Sequence, residues 1–163
     1  MVIVSDTTTI SNLFLIDKLW LLEKLYQKII IPKTVFEELK RLEDGNKRNI
    51  DQIKQAKWIE VVSVKENDLI SILLLTLDKG EAEAIALARE IKADLLIIDE
   101  LRGRKCAKQL HLTIIGLIGI LLLAKQNGII KSVKEILIEL QEKAGFWISG
   151  ELYKATMDIA GEK

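Results

Sequence analysis

Short runs of consecutive apolar residues alternate along this chain with longer stretches whose apolar residues recur at helical spacing. A strand that is apolar at successive positions must be covered on both sides, and such strands separated by helices build a parallel sheet between two helical layers. The runs are Val2–Ser5, Lys28–Ile31, Ile59–Val62, Leu95–Ile98 and Leu112–Ile115. Helical spacing covers Ile10–Tyr26 with a break around Asp17, then Lys33–Leu42, Asn49–Lys57, Glu66–Leu77, Glu81–Ile91, Leu101–Gln109 and Gly116–Gln126. Two more helices, Val133–Lys143 and Ser149–Ile159, follow with no strand between them. The expected fold is therefore three-layer α/β/α around a parallel sheet of about five strands, closed by a C-terminal helical hairpin.

With 163 residues, 49% of them hydrophobic, the chain is sized for one domain with a full core. Residues 1–128 read as the α/β core and 129–160 as helices packed on it. Pro32 suits the start of a helix, Asp44-Gly45-Asn46 reads as a turn, and the polar end Gly161-Glu162-Lys163 is expected to fray. The greasiest stretch, Leu112 to Ala124, has 13 residues, too few for a bilayer span of roughly 20. With no signal-like opening and one cysteine, Cys106, an intracellular, cytoplasmic protein is expected, without disulfide or membrane. One cysteine and one histidine, His111, also exclude a Cys/His zinc site, so any metal ligands are oxygens. The 24 basic and 24 acidic side chains cancel, leaving a polyanion to be held by a local patch.

Four acids lie at the edges of apolar segments, where a solvated surface charge is hard to account for. Asp6 ends the first run and so falls where ligand crevices form in parallel sheets, although Asp before Thr7-Thr8-Thr9-Ile10 also suits a helix cap. Glu38 falls in line with Val35 and Leu42, whereas Glu37 shares its face with Lys33, Lys40 and Arg41. A carboxylate on an apolar stripe needs a partner, either a metal or a buried lysine. Glu81 sits above Ala84, Ile85 and Ala88, facing inward, while Glu83 tracks toward Glu90; either would also suit a helix N-terminus as a plain dipole partner. Asp99 ends the fourth run and Glu100 follows it; either could reach the crevice, with Asp99 nearer the strand end. Convergent carboxylates of this kind make an oxygen cage for a divalent cation. Arg102, Arg104, Lys105 and Lys108 follow closely, as phosphate contacts or as a solvated helix face. Aromatic residues make up 5%, so stacking on single-stranded bases is not an evident part of recognition.

These pieces resemble the PIN-domain family, and within it VapC-like toxin nucleases and the longer branch carrying a Gly-Glu-x-Glu-Ala element. The matching segments are Ser5-Asp6-Thr7-Thr8, Pro32-x-x-Val35-x-x-Glu38-Leu39, Gly80-Glu81-Ala82-Glu83-Ala84, Leu96-Ile97-Ile98-Asp99-Glu100 with Arg102, Arg104 and Ala107, and Gly116-Leu117-Ile118-Gly119. The resemblance runs nearly end to end, through Gly145-Phe146 and Ser149. It implies a Mg2+- or Mn2+-dependent endoribonuclease acting on RNA, the toxin of a toxin–antitoxin pair with a cognate antitoxin as partner. By the same resemblance Asp6, Glu38, Glu81 and Asp99 are the catalytic and metal-binding acids, Glu100 the alternative fourth, and Thr7 or Thr8 the supporting hydroxyl. The third acid is Glu where the family usually has Asp, and the usual Thr-x-Asp is replaced by Ile98-Asp99-Glu100. A PIN-like scaffold that acts through protein or RNA binding is the competing reading. Leu69, Ile70, Leu73, Leu74, Leu75 and Leu77 nearly surround their helix, and Ile10–Tyr26 also carries more apolar residues than one face can bury. A symmetric homodimer is expected, as the resemblance also suggests.

Overall fold

The computed structural model describes residues 1–46, 49–65 and 67–163. Five strands, β1 (Ile3–Ser5), β2 (Ile29–Pro32), β3 (Ile59–Val62), β4 (Leu95–Ile97) and β5 (Ile114–Ile115), form one sheet in the order β3-β2-β1-β4-β5. Every pairing is parallel, with Val4 opposite both Ile30 and Leu96. Around the sheet lie α1 (Thr7–Leu15), α2 (Trp20–Tyr26), α3 (Lys33–Asn46), α4 (Asp51–Lys54), α5 (Asp68–Leu73), α6 (Lys79–Glu90), α7 (Leu101–Gln109), α8 (Leu117–Gln126), α9 (Val133–Ala144) and α10 (Gly150–Ala160). The three-layer α/β/α architecture expected from the alternating pattern is what the chain adopts.

Side chains alternate across each strand, and that alternation divides the core in two. Ile3, Ile29, Ile31 and Ile97 pack under α1, α2, α3, α8, α9 and α10, while Val4, Leu96 and Ile98 pack under α5, α6 and α7. Strands buried on both faces are mostly apolar at successive positions, as in β4; β1 buries Ser5 among its apolar residues, and the edge strand β3 exposes Glu60 and Val61. α6 approaches the sheet with Ala82, Ala84 and Ala88 fully buried, the small side chains allowing the close fit.

Several local expectations are corrected. α3 continues through the Asp44-Gly45-Asn46 segment instead of turning. Glycine costs a helix about 1 kcal/mol, less than is gained by burying Val35 and Leu39 completely on the same helix. Pro32 closes β2, opposite Val62, and α3 begins at the next residue. The break near Asp17 is real, with Asp17 at φ 58° between α1 and α2. The stretch it divides does bury its apolar residues: Ile10, Leu13, Ile16, Leu19, Leu21 and Leu22 have essentially no exposure. Of the expected Glu66–Leu77 helix, Glu66 lies outside the described residues and the α-helical part is Asp68–Leu73.

The tail does not fray. Glu162 reaches back to α9, accepting hydrogen bonds from Lys125 Nζ at 2.9 Å, Ser132 Oγ at 2.8 Å and the Val133 and Lys134 amides at 2.8 and 3.2 Å. Orphan N–H groups at a helix start attract a carboxylate, and here the residue that supplies it is 29 positions downstream of Val133. No described helix is long and apolar enough to cross a membrane.

Candidate metal and nucleic-acid site

β1 is central, and the chain leaves it toward β2 and β3 before returning to β4 on its other side. Connections from β1 and β4 therefore depart in opposite directions and open a crevice beyond the carboxyl ends of the strands. Asp6 follows β1 directly, its amide donating to the Ile97 carbonyl at 3.0 Å, and Asp99 comes two residues after β4. Glu38 and Glu81 are supplied by α3 and α6, which pack on each other.

Asp6 is the most enclosed acid in the site. It is 1% exposed, and neither carboxylate oxygen has a hydrogen-bond partner within the protein. Asp6 occupies the N-cap of α1 without making a side-chain cap. Burial pushes its pKa well above the usual carboxylate range, and the charges of Asp99 and Glu81 push in the same direction. The amides of Asp99 and Thr9 offset part of the rise, though neither makes a hydrogen bond of good geometry to the carboxylate. The Thr9 hydroxyl, also buried, is likewise unpartnered.

The remaining acids are held by local donors. Thr7 Oγ1 donates a hydrogen bond to Glu38 Oε2. Glu81 forms a capping box with Asp78: its amide donates to Asp78 Oδ1 at 2.8 Å, and its carboxylate accepts from the Asp78 amide at 3.4 Å. The pKa of Glu81 is raised, first by burial and then by Asp78, Glu100 and Glu38, with the Asp78 amide opposing them. Asp99 Oδ1 accepts the amide of Leu117, at the start of α8, at 2.9 Å. Among the described residues no three acidic, histidine or cysteine side chains are grouped so as to hold one ion between them.

Two glycines make the space these carboxylates use. A β-carbon at Gly80 would stand 2.6 Å from both Glu38 oxygens, and one at Gly116 would stand 2.8 Å from Asp99 Oδ1 and 2.6 Å from Arg104 Nη1. Backbone approaches these side chains more closely than any other residue would allow.

The helical arithmetic at Glu37 and Glu38 agrees with the structure, with Glu37 exposed and Glu38 half-buried. At the second glutamate pair it does not. Glu83 is 8% exposed and Glu81 half-buried, because α6 is covered along nearly its whole length rather than on one stripe. Asp99 is half-buried and Glu100 exposed, yet Glu100 is close enough for its charge to raise Glu81. Thr8 lines a shallow depression with Asn12, Asp99 and Glu100. Of the four basic residues, Arg104 turns inward, donating to the Ile98 carbonyl at 3.1 Å beside Asp99, while Arg102, Lys105 and Lys108 are exposed. Asp78, outside the four acids, is legible in sequence as the first residue of an Asp-x-x-Glu capping box.

A parallel α/β protein with a crevice at its strand-order switch belongs to a class that binds ligands there, and here Asp6 and Asp99 follow the two strands that flank it. The PIN-domain family model matches residues 2–162, and the chain belongs to that family. PIN domains are in general nucleases, typically use divalent metals and are associated with RNA binding. No curated protein matches the chain, and no solved structure does.

Proposed function

We propose that this protein is a metal-dependent endoribonuclease that hydrolyses RNA phosphodiester bonds, with Asp6 as its central metal ligand. The observation that carries this reading is the Asp6 carboxylate, buried and unpartnered, with the charges of Asp99 and Glu81 acting on it. Such a group is costly unless it is protonated or meets a cation. Its fit to Mg2+ or Mn2+ follows from the donor set, which is hard oxygen throughout. Asp6, Glu38, Glu81 and Asp99 would hold the ion directly or through water, with Glu100 at the outer edge. Bound there, a divalent cation supplies Lewis acidity toward water and the phosphate oxygens.

The chain's own residues supply position. Thr7 orients the Glu38 carboxylate, and the Leu117 amide orients that of Asp99. Arg104, its guanidinium beside Asp99, is placed to meet the phosphate of a bound strand, while Arg102, Lys105 and Lys108 add exposed charge along α7. The role of toxin in a toxin–antitoxin pair, with an antitoxin as partner, extends this reading and is supported by the resemblance to VapC-like proteins. A homodimer belongs to it too, with Ile72, Leu74 and Leu75 the exposed apolar residues of the α5 region. Light scattering tests that assembly, and a monomer at working concentration would remove it.

One observation favours a second reading, a scaffold without catalysis. Glu38, Glu81 and Asp99 each have a local partner that a purely structural carboxylate would keep. A manganese titration combined with an RNA cleavage assay separates the two. Nuclease function requires cleavage that disappears with chelator and with Asp6→Asn. Metal binding with no cleavage of any RNA supports the scaffold.

A further inference from the structure

We propose that the groove running from Asp99 and Glu100 along β5 seats an unpaired nucleobase of the RNA, with Trp147 as the stacking side chain. This rests on the nuclease reading and adds to it a recognition element outside the acids.

Trp147 is 79% exposed, whereas Trp20 and Trp58 pack against the core. An indole left in water forgoes the stabilisation its burial would bring, and that stabilisation is available to a flat ligand laid against it. It lies in the segment between α9 and α10, just after Gly145, whose φ of 67° ends α9 in the left-handed region. Together with Phe146 it borders two concavities that share Asp99 and Glu100. The larger, about 940 Å3, has Arg104 at its acidic end and Ile115, Ile118 and Leu152 along its walls. That volume is in the range that encloses small ligands.

The two ends of this groove ask for different chemistry. The Arg104 end suits a phosphate, while the aliphatic and aromatic walls suit a flat neutral surface. A single RNA strand carries both, a base beside each phosphate, and bases stack on aromatic side chains whatever their identity. A protein partner sealing the groove with an apolar face would strand Asp99 and Glu100 without water, which is costly. A second copy of the chain is the competing occupant, and the test includes it.

The experiment uses the full chain with Mn2+ and a mixed-sequence single-stranded RNA, in which one nucleotide at a time near the cleaved bond is made abasic. For the native protein, kcat/KM should fall roughly 5- to 150-fold at one or two positions, the range expected for loss of one stacked base. Trp147→Ala should show that loss on the intact RNA and no further loss on the abasic ones, with an unchanged melting temperature. Trp147→Phe should recover most of the rate. Cleavage by Trp147→Ala as fast as by the native protein, or abasic losses that persist in full in the variant, overturns the inference. So does a drop in mass on light scattering for Trp147→Ala with unchanged RNA kinetics, which would make the patch a contact between copies. Native protein that neither binds nor cuts RNA overturns both readings. Asp6-dependent cleavage that ignores Trp147 overturns this one alone.

Discussion

Two shielded carboxylates of this molecule have opposite surroundings. Glu162 is wrapped by the Lys125 ammonium, the Ser132 hydroxyl and two amides, and its side chain keeps 14% of its exposure. Burial by itself would raise its pKa, but those four donors outweigh burial and hold it at about 2. Asp6 is buried more deeply, has no hydrogen-bond partner and faces like charges, and its pKa is raised instead. A carboxylate that serves structure is given donors by the fold. One left without them costs stability in the free protein, a cost that a bound cation would return under the proposed function.

The largest expected effect is on cleavage. Glu38→Gln and Asp6→Asn should each lower the rate by orders of magnitude in an RNA cleavage assay, while Glu37→Gln, one residue away on the exposed face, should leave it unchanged. Equal effects at Glu37 and Glu38 would mean that the inward face of α3 is not part of the site.

Thermal stability should separate the two carboxylates next. Glu162→Ala leaves the α9 amides and Lys125 without their acceptor and should cost about 2–3 kcal/mol, since hydrogen bonds to charged groups are individually worth that much. For a chain of this size the melting temperature should fall by roughly 5–10 °C. Asp6→Asn should do the opposite in the metal-free protein, raising the melting temperature or leaving it alone. Manganese should stabilise the native protein, and Asp6→Asn should blunt that shift in a melting series. An undiminished manganese response would remove Asp6 from the metal site.

The smallest effect is the pH dependence of folding in chelator. Glu162, lowered from 4.5 to about 2, contributes stability above pH 4.5 that is lost as pH falls toward 2. Asp6 has the reverse sign. The unfolded chain releases its proton near pH 4 while the folded pocket retains it, so the native state loses stability as pH rises from about 4 through the raised value. Denaturation of Glu162→Ala and Asp6→Asn across this range should flatten opposite arms of the profile. If both variants flatten the same arm, the contrast between the two carboxylates fails.

Much of this protein could be read from its residues in order. Strand positions follow from runs such as Leu95-Leu96-Ile97-Ile98, because burial on both faces favours apolar residues at successive positions. The placement of Asp6 beyond β1 follows from parallel topology, and the orientation of Glu38 relative to Glu37 from helical spacing. These are local rules acting on neighbours in sequence. They failed where cover came from elsewhere: Glu83 is buried because α6 is enclosed nearly all round, and the Asp44-Gly45-Asn46 segment is helical although its composition favours a turn. Glu81 has its donor three residues away, at the Asp78 amide, but for the other acids only the tertiary structure decided which have donors. Glu162 meets the start of α9 from 29 residues away, Asp99 meets an amide 18 residues downstream, and Asp6 meets none. A carboxylate's partner is set by which chain ends the fold brings together, and sequence spacing carries no record of that distance.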